Sequence, residues 1–513
     1  MSRDVGTFVI DQVAQTLGCD REDVDGTKHI FDFGFDSLFA MRLLGRVAKT
    51  FGVSVSGRDL IDFPTLNALV AHYTSLPGSQ KTTVLAQPQS PVAQGDLPLS
   101  VGQQGLWALQ QTRPDMSALN LPLCFQFAGK LSLDAVRQAL AHCFETFPIL
   151  TSQFELGPNG PMRRENPNVP IEIDTFEYQE RLPKAEIEKQ AKQPFDLAVG
   201  PPMRVSVWAC EGAPSYLLIV VHHIVFDGGS FAPFCSAFFE AYHAYADGAE
   251  APANRAPDRS FEAFVLDETA GLSASSEAQA YWLDQLQAPL PDLRLAPDFA
   301  RSEAEPFVGA HVSGRLSKQT NKALTAFAQD ARIPPSAVIL SAFMVLIHRL
   351  TGSDDVIIGM PFHGRTDEAY TDTVGYLVNM LPIRQRGLTD LCFDDLARAV
   401  QLRVADATDH ASYPFGQMVK DQAVPPDPDC PPVFQIGFEY QNAFAQDAVP
   451  ALHAEVGASV ELLQSVVQEG EYELVLEIRP DDDGFATTLK FNPHLFDRDR
   501  IEKHLQRLDH ILG

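Results

Sequence analysis

Between Ser75 and Gly95 the chain reads SLPGSQKTTVLAQPQSPVAQG, rich in Pro, Ser, Gln and Gly and without hydrophobic periodicity. Such a segment cannot bury enough apolar surface to offset the entropy of ordering it, so it reads as a linker. It splits the 513 residues into a small unit, 1–75, a linker, 76–96, and a large unit, 97–513. A domain takes roughly 150 residues, so the large unit is too long for one core and is expected to form two lobes.

In the small unit, Ile10, Val13, Ala14 and Leu17 recur at helical spacing and Gly18 follows where a helix would end. Leu44, Val47, Ala48 and Phe51 repeat the pattern before Gly52, and FGFDSL places Asp36 and Ser37 to cap the first turn of that second helix. Pro64 opens a further helix, PTLNALVAHY. Together they predict a small all-α bundle. In the large unit, strand-like runs (YLLIVV, DVIIGMPF, YELVLEI, TTLKFN) are interspersed with helical ones (SAVILSAFMVLIHRL, DRIEKHLQRLDHIL), which predicts an α/β or α+β layered body.

Thirty-nine basic against sixty-seven acidic residues leave a net charge of −28. That field repels nucleic-acid backbones and anionic lipid, so neither is expected as a partner. The seven cysteines are scattered, with no C-x-x-C spacing, and signal neither zinc nor a disulfide framework. They fit a reduced, cytoplasmic protein. No apolar run approaches the ~20 residues of a membrane span.

One stretch, SYLLIVVHHIVFDGGS at Ser215–Ser230, places His222, His223 and Asp227 directly after an apolar run. Neighbouring residues of a strand point to opposite faces, so the two histidines cannot share a metal without distortion, and none is expected. One ring should face the core and the other a cleft. Asp227, on a turn loosened by Gly228 and Gly229, is placed to orient the histidine or to pair with an arginine. By themselves these residues fit equally a strand that ends in a buried, hydrogen-bonded histidine and an Asp-Gly turn. Ser37 alone reads as a helix cap.

Longer patterns favour function. FDFGFDSLFAMRLLGRVAKTFGVSVSGRDLIDFPTLNALVAHY resembles the acyl or peptidyl carrier domains of polyketide and nonribosomal peptide synthases across nearly all of residues 1–75. The resemblance implies a four-helix carrier bundle with 4′-phosphopantetheine covalently attached to Ser37. A phosphodiester there would meet the free N–H groups and positive dipole of a helix N-terminus. GFDSL looks closer to polyketide-type carriers than to the GGHSL of many peptidyl carriers.

HHIVFDGGS resembles the H-H-x-x-x-D-G signature of nonribosomal peptide condensation domains. LSVGQQGLWAL, FDLAVGPPMRVSVW, YWLDQL, IGMPFHGR, VGYLVNMLPIR, HASYPFGQMV, PPVFQIGFEYQN and FNPHLFD match further elements in order, so the resemblance covers residues 97–513. It implies two chloramphenicol-acetyltransferase-like lobes forming a V, about 97–268 and 269–513, with YWLDQL on an interlobe helix. A tunnel between the lobes would admit carriers from opposite faces. By the same resemblance His223 faces the tunnel as general base or hydrogen-bond acceptor, with His222 as its structural neighbour. The resemblance further implies a structural salt bridge between Asp227 and Arg365, an oxyanion supported by the Gly228 N–H, and Asn442 lining the site. Gly105 and Thr151 stand where the family usually has arginine, which touches packing and tunnel geometry more than chemistry.

The expected function is an acyltransferase that joins a carrier-bound acyl or peptidyl thioester to an amine or hydroxyl, forming an amide or ester. The expected partners are an upstream acyl-donating synthase module or carrier, an acceptor aminoacyl carrier or free small-molecule amine or alcohol, and a phosphopantetheinyl transferase. A free-standing monomeric didomain is the simplest organisation. Three alternatives stand beside it. An epimerase of a carrier-bound aminoacyl group would show DGxSW where this chain has DGGSF; a non-catalytic recruitment platform would not need His222, His223 and Asp227 intact; a coenzyme-A-dependent acyltransferase would not need Ser37.

Overall fold

The computed structural model describes the chain apart from residues 1–3, 18, 29–36, 77–95, 129–130, 159, 171, 179–183, 210–213, 247, 249–255, 273, 302–304, 306, 423–430, 442–459, 464–465, 467, 469 and 482. Most of the linker therefore lies outside the described residues.

The small unit comprises α1 (Val5–Leu17), α2 (Ser37–Phe51), the single turn α3 (Asp59–Asp62) and α4 (Leu66–Ser75). Val5, Val9 and Val13 of α1 meet Leu43, Leu44 and Val47 of α2 and Leu66, Leu69 and Tyr73 of α4 in a core of their own. α4 begins two residues after Pro64, because the Thr65 side chain accepts from the Ala68 N–H at 3.1 Å and satisfies an otherwise orphaned donor. The Tyr73 hydroxyl donates to Asp59 at 2.7 Å, tying α4 to α3.

The first lobe of the large unit starts with β1 (Leu97–Pro98), α5 (Val101–Thr112), β2 (Asn120–Phe127), α6 (Leu133–Thr146), β3 (Ser152–Gly157), β4 (Gly160–Glu165) and β5 (Ile173–Glu177). It continues through α7 (Lys184–Ala191), β6 (Met203–Ala209), β7 (Ser215–His222), α8 (Phe231–Ala246) and α9 (Ser260–Leu272). β7 is buried at all eight positions, as its unbroken apolar run requires of a central strand, and pairs antiparallel with β2 and β6.

The second lobe holds α10 (Ser276–Gln285), β8 (Ala310–Arg315), α11 (Lys318–Ala331), α12 (Pro335–Thr351), β9 (Asp355–Phe362), β10 (Asn379–Arg386), α13 (Phe393–Asp409) and α14 (Phe415–Asp421). Beyond these come β11 (Ile436–Tyr440), β12 (Val460–Leu462), β13 (Leu474–Asp481), β14 (Gly484–Phe491) and a last helix, Arg498–Leu512. Its six-stranded sheet runs β10-β9-β11-β13-β14-β8 and backs onto α12, whose ten buried residues fill the lobe's core. Trp282 of YWLDQL belongs to that same core, so α10 is packed within the second lobe.

The lobes exchange chain. β12 pairs antiparallel with β2, completing a sheet of order β12-β2-β7-β6-β5, and Val374, Leu377 and Val460 pack in the first lobe's core. Helix α9 runs through residue 268, with Phe261 and Val265 in the first core and Leu272 against the second. Among the described residues no single helix is long and apolar enough to cross a membrane.

Candidate functional site

The fully buried β7 can present a polar side chain only where it ends, and there the two histidines part. His222 is buried, and its Nδ1 accepts from the Ile224 N–H at 3.1 Å. A ring nitrogen that accepts carries no proton, so Nε2 holds it and donates to Gln110 Oε1 at 3.3 Å. Burial, with the neighbouring His223 and Arg204, holds the His222 imidazole down at about 3, so it is neutral.

His223 is half-buried, and its Nδ1 lies 2.7 Å from the Phe226 carbonyl oxygen. A carbonyl only accepts, so Nδ1 carries a proton and in the neutral ring Nε2 is the acceptor. The ring meets Tyr376 edge to face, centroids 5.0 Å apart, and its backbone N–H donates to Leu119 at 2.8 Å. Helix α5 steadies the turn, because Gln103 and Gln110, seven residues apart and so on one face, reach Ile224 O at 2.8 Å and His222 respectively.

Asp227 and Arg365 are fully buried and lie on different lobes. Arg365 donates through Nη1 to Oδ2 at 2.9 Å and through Nη2 to Oδ1 at 2.6 Å, a bidentate pair. The carboxylate also accepts from the Leu377 N–H at 2.9 Å and from the Ser230 hydroxyl at 2.9 Å. Burial alone would raise the Asp227 carboxyl, but the Arg365 charge and these donors hold it below its ordinary value. Asp227 is thus an ionised anchor with no contact to the His223 ring that could relay a proton.

Glycines permit this closure. A Cβ on Gly229 would lie 2.4 Å from Arg365 Nη1, and one on Gly364, at φ +70, would lie 1.9 Å from the Leu377 carbonyl. Gly228 is exposed and a Cβ there would meet nothing within 4 Å. Gly105 also faces open space, and Thr151 is buried with its hydroxyl on Pro148 O at 2.8 Å. Asn442 lies outside the described residues. Ser37 is the first residue of α2, a 15-residue helix. That position, at the positive end of a long helix dipole, suits a covalent phosphodiester, so phosphopantetheine fits there.

Residues 93–513 match the family model described as condensation domain, and residues 7–73 match the phosphopantetheine attachment site. The chain belongs to the condensation-domain family. It is 32% identical over 80% of its length to polyketide synthase PksN of Bacillus subtilis (strain 168). It is 27% identical over 93% of its length to tyrocidine synthase 3 of Brevibacillus parabrevis. The chain spans only 8% and 7% of the lengths of these two synthases. Among solved structures, the X-domain from teicoplanin biosynthesis superposes with a TM-score of 0.73 at 22% identity, covering 82% of this chain and 95% of that one. The condensation domain from the monacolin K polyketide synthase MokA gives 0.68 at 19%, covering 82% and 96%. These likenesses place both lobes in the chloramphenicol-acetyltransferase-like fold of condensation domains, after a helical carrier domain whose attachment site implies covalent 4′-phosphopantetheine.

Sequence reasoning singled out the histidines, the aspartate and the arginine but missed Gln110, Tyr376, Ser230 and the Leu377 N–H. Tyr376 and Leu377 stand in VGYLVNMLPIR and Ser230 in DGGS, so the signal was present as motif without a partner. Glu471 was also missed: burial raises its carboxyl, against the pull of nearby His223.

Proposed function

We propose that this chain is the carrier and condensation portion of a nonribosomal peptide or hybrid polyketide synthase, forming an amide between an acyl thioester borne on Ser37 and an incoming amine. The phosphopantetheine group supplies the thiol that holds the acyl chain. The observation that carries the reading is the His223 tautomer: Nδ1 is committed to Phe226 O at 2.7 Å, which leaves Nε2 as the acceptor of a half-buried ring packed against Tyr376.

The amine nitrogen attacks the thioester carbonyl, its proton passes to His223 Nε2, the C–S bond breaks, and the proton returns to the departing sulfur. A thioester is a good acyl donor, so the protein's contribution is mainly positioning. His223 orients the nucleophile, and the Gly228 N–H, on the exposed turn after Asp227, is assigned to the tetrahedral oxyanion. Asp227 and Arg365 hold that turn. An alcohol would give an ester by the same steps. An upstream synthase module or carrier, a phosphopantetheinyl transferase acting on Ser37, and an aminoacyl carrier or free amine complete the reaction.

The test is to load Ser37 with an acyl-pantetheine group, offer amines, alcohols and aminoacyl carriers, and follow carrier and product mass. Transfer should fall about 100-fold or more in His223→Ala. Equal transfer in that variant would overturn the role of His223, and inversion of an α-carbon without transfer would indicate epimerisation.

A further inference from the structure

The carrier domain rests on the large unit through charges of opposite sign. Arg58, one residue before α3, donates from Nη2 to Asp406 Oδ2 at 2.7 Å and from Nε to Oδ1. The Ser56 hydroxyl and the Gly57 N–H donate to Asp409 at 2.6 and 2.7 Å. From the last turns of α2, Lys49 Nζ pairs with Asp367 at 3.1 Å and Arg46 lies 3.9 Å from Glu368. A Cβ on Gly45 would lie 3.4 Å from the Thr366 carbonyl, so α2 approaches that backbone closely.

These contacts fall at the start of one segment and beside the residues that bond its end. Thr366–Glu368 directly follow Arg365, which clamps Asp227. Just past Asp409, the carbonyls of Ala411 and Tyr413 each accept from the Asn379 side chain at 2.8 Å. Between Arg365 and Asn379 lie Tyr376, against the His223 ring, and Leu377, whose N–H reaches Asp227. The carrier thus contacts the start of the segment that closes the His223 site and the end of α13, beside the residues to which the segment's last residue, Asn379, bonds.

Charge selects this face. Residues 1–75 hold ten acidic and seven basic residues, so the domain is acidic as a whole, and Arg46, Lys49 and Arg58 gather where it meets four carboxylates. Opposite charges facing each other there favour this orientation over one that sets the carrier's carboxylates against the acidic patch. We propose that Asp406 and Asp409 of α13, with Asp367 and Glu368, form the docking surface for this chain's own carrier domain, and that Arg58 determines which carrier is accepted there. The proposal rests on the reading of Ser37 as acyl carrier.

Two measurements on the full chain test it. The first compares transfer to an amine from acyl-loaded Ser37 with transfer from a soluble acyl-pantetheine thioester. The ratio should fall at least tenfold in Arg58→Glu and recover in Arg58→Glu with Asp406→Arg. An unchanged ratio overturns the proposal. The second needs no activity: Ser56→Cys with Asp409→Cys should form a disulfide on mild oxidation, mapped by peptide mass, and adding Arg58→Glu should abolish it. Failure of that cross-link in the chain with native Arg58 also overturns the docking. If neither thioester is transferred while the cross-link forms, the catalytic reading fails and the docking surface stands.

Discussion

Protonation of His222 is opposed by burial and by the charges of His223 and Arg204, which sets its acid behaviour apart from that of an exposed histidine. Below pH 6.5 the unfolded chain takes up a proton here that the folded chain refuses until about pH 3, so stability falls as pH falls across that window, by roughly 5 kcal/mol if His222 acts alone. Asp227 acts in the same direction, because its lowered carboxyl gives stability that is present above its ordinary value and lost as acid protonates it. Urea midpoints measured from pH 7 to pH 4 should fall, and His222→Asn should flatten the slope. Arg365→Met would leave a buried carboxylate without its cation, at a cost of about 3–5 kcal/mol, read as a lower urea midpoint. Strand alternation made the opposed histidines legible. The Arg365 partnership was implied only by resemblance, since 138 residues separate the pair and spacing carries no information over that distance.

At the scale of elements, the two glycines after Asp227 should behave differently. Gly229→Ala drives a methyl into the Arg365 guanidinium, whereas Gly228→Ala enters open space. The first should lower the melting temperature by several degrees, and the second should leave it within about a degree. Because alanine keeps the backbone N–H and its Cβ meets nothing there, Gly228→Ala should also retain transfer. Helix α5 was legible as an element, but its task of holding His222 and the Ile224 carbonyl through Gln110 and Gln103 appears only when the turn is folded against it. The start of α4 was misplaced for a local reason: proline fixes its own φ, yet the Thr65 side chain is what satisfies the first free N–H.

Across the whole molecule, the three largest hydrophobic cores among the described residues correspond to the carrier and the two lobes, and the lobes are joined by exchange of chain as well as by sequence. Leu377 follows the second lobe's β9 in sequence yet is buried in the first lobe's core. Leu377→Ala should cost roughly 2–5 kcal/mol and separate the unfolding of the two lobes, seen as two calorimetric transitions where the parent shows closer coupling. Periodicity, the linker and the order of motifs by themselves determined the helical carrier, the mixed body, the family and the residues on which chemistry was expected, because these depend on neighbours within a few positions or on motif order. The tertiary structure decided what each residue touches: the His223 tautomer, the buried Asp227–Arg365 clamp, the exchange of β12 and the seat of the carrier on α13. Those contacts join residues tens to hundreds of positions apart, and only packing brings them within hydrogen-bond reach.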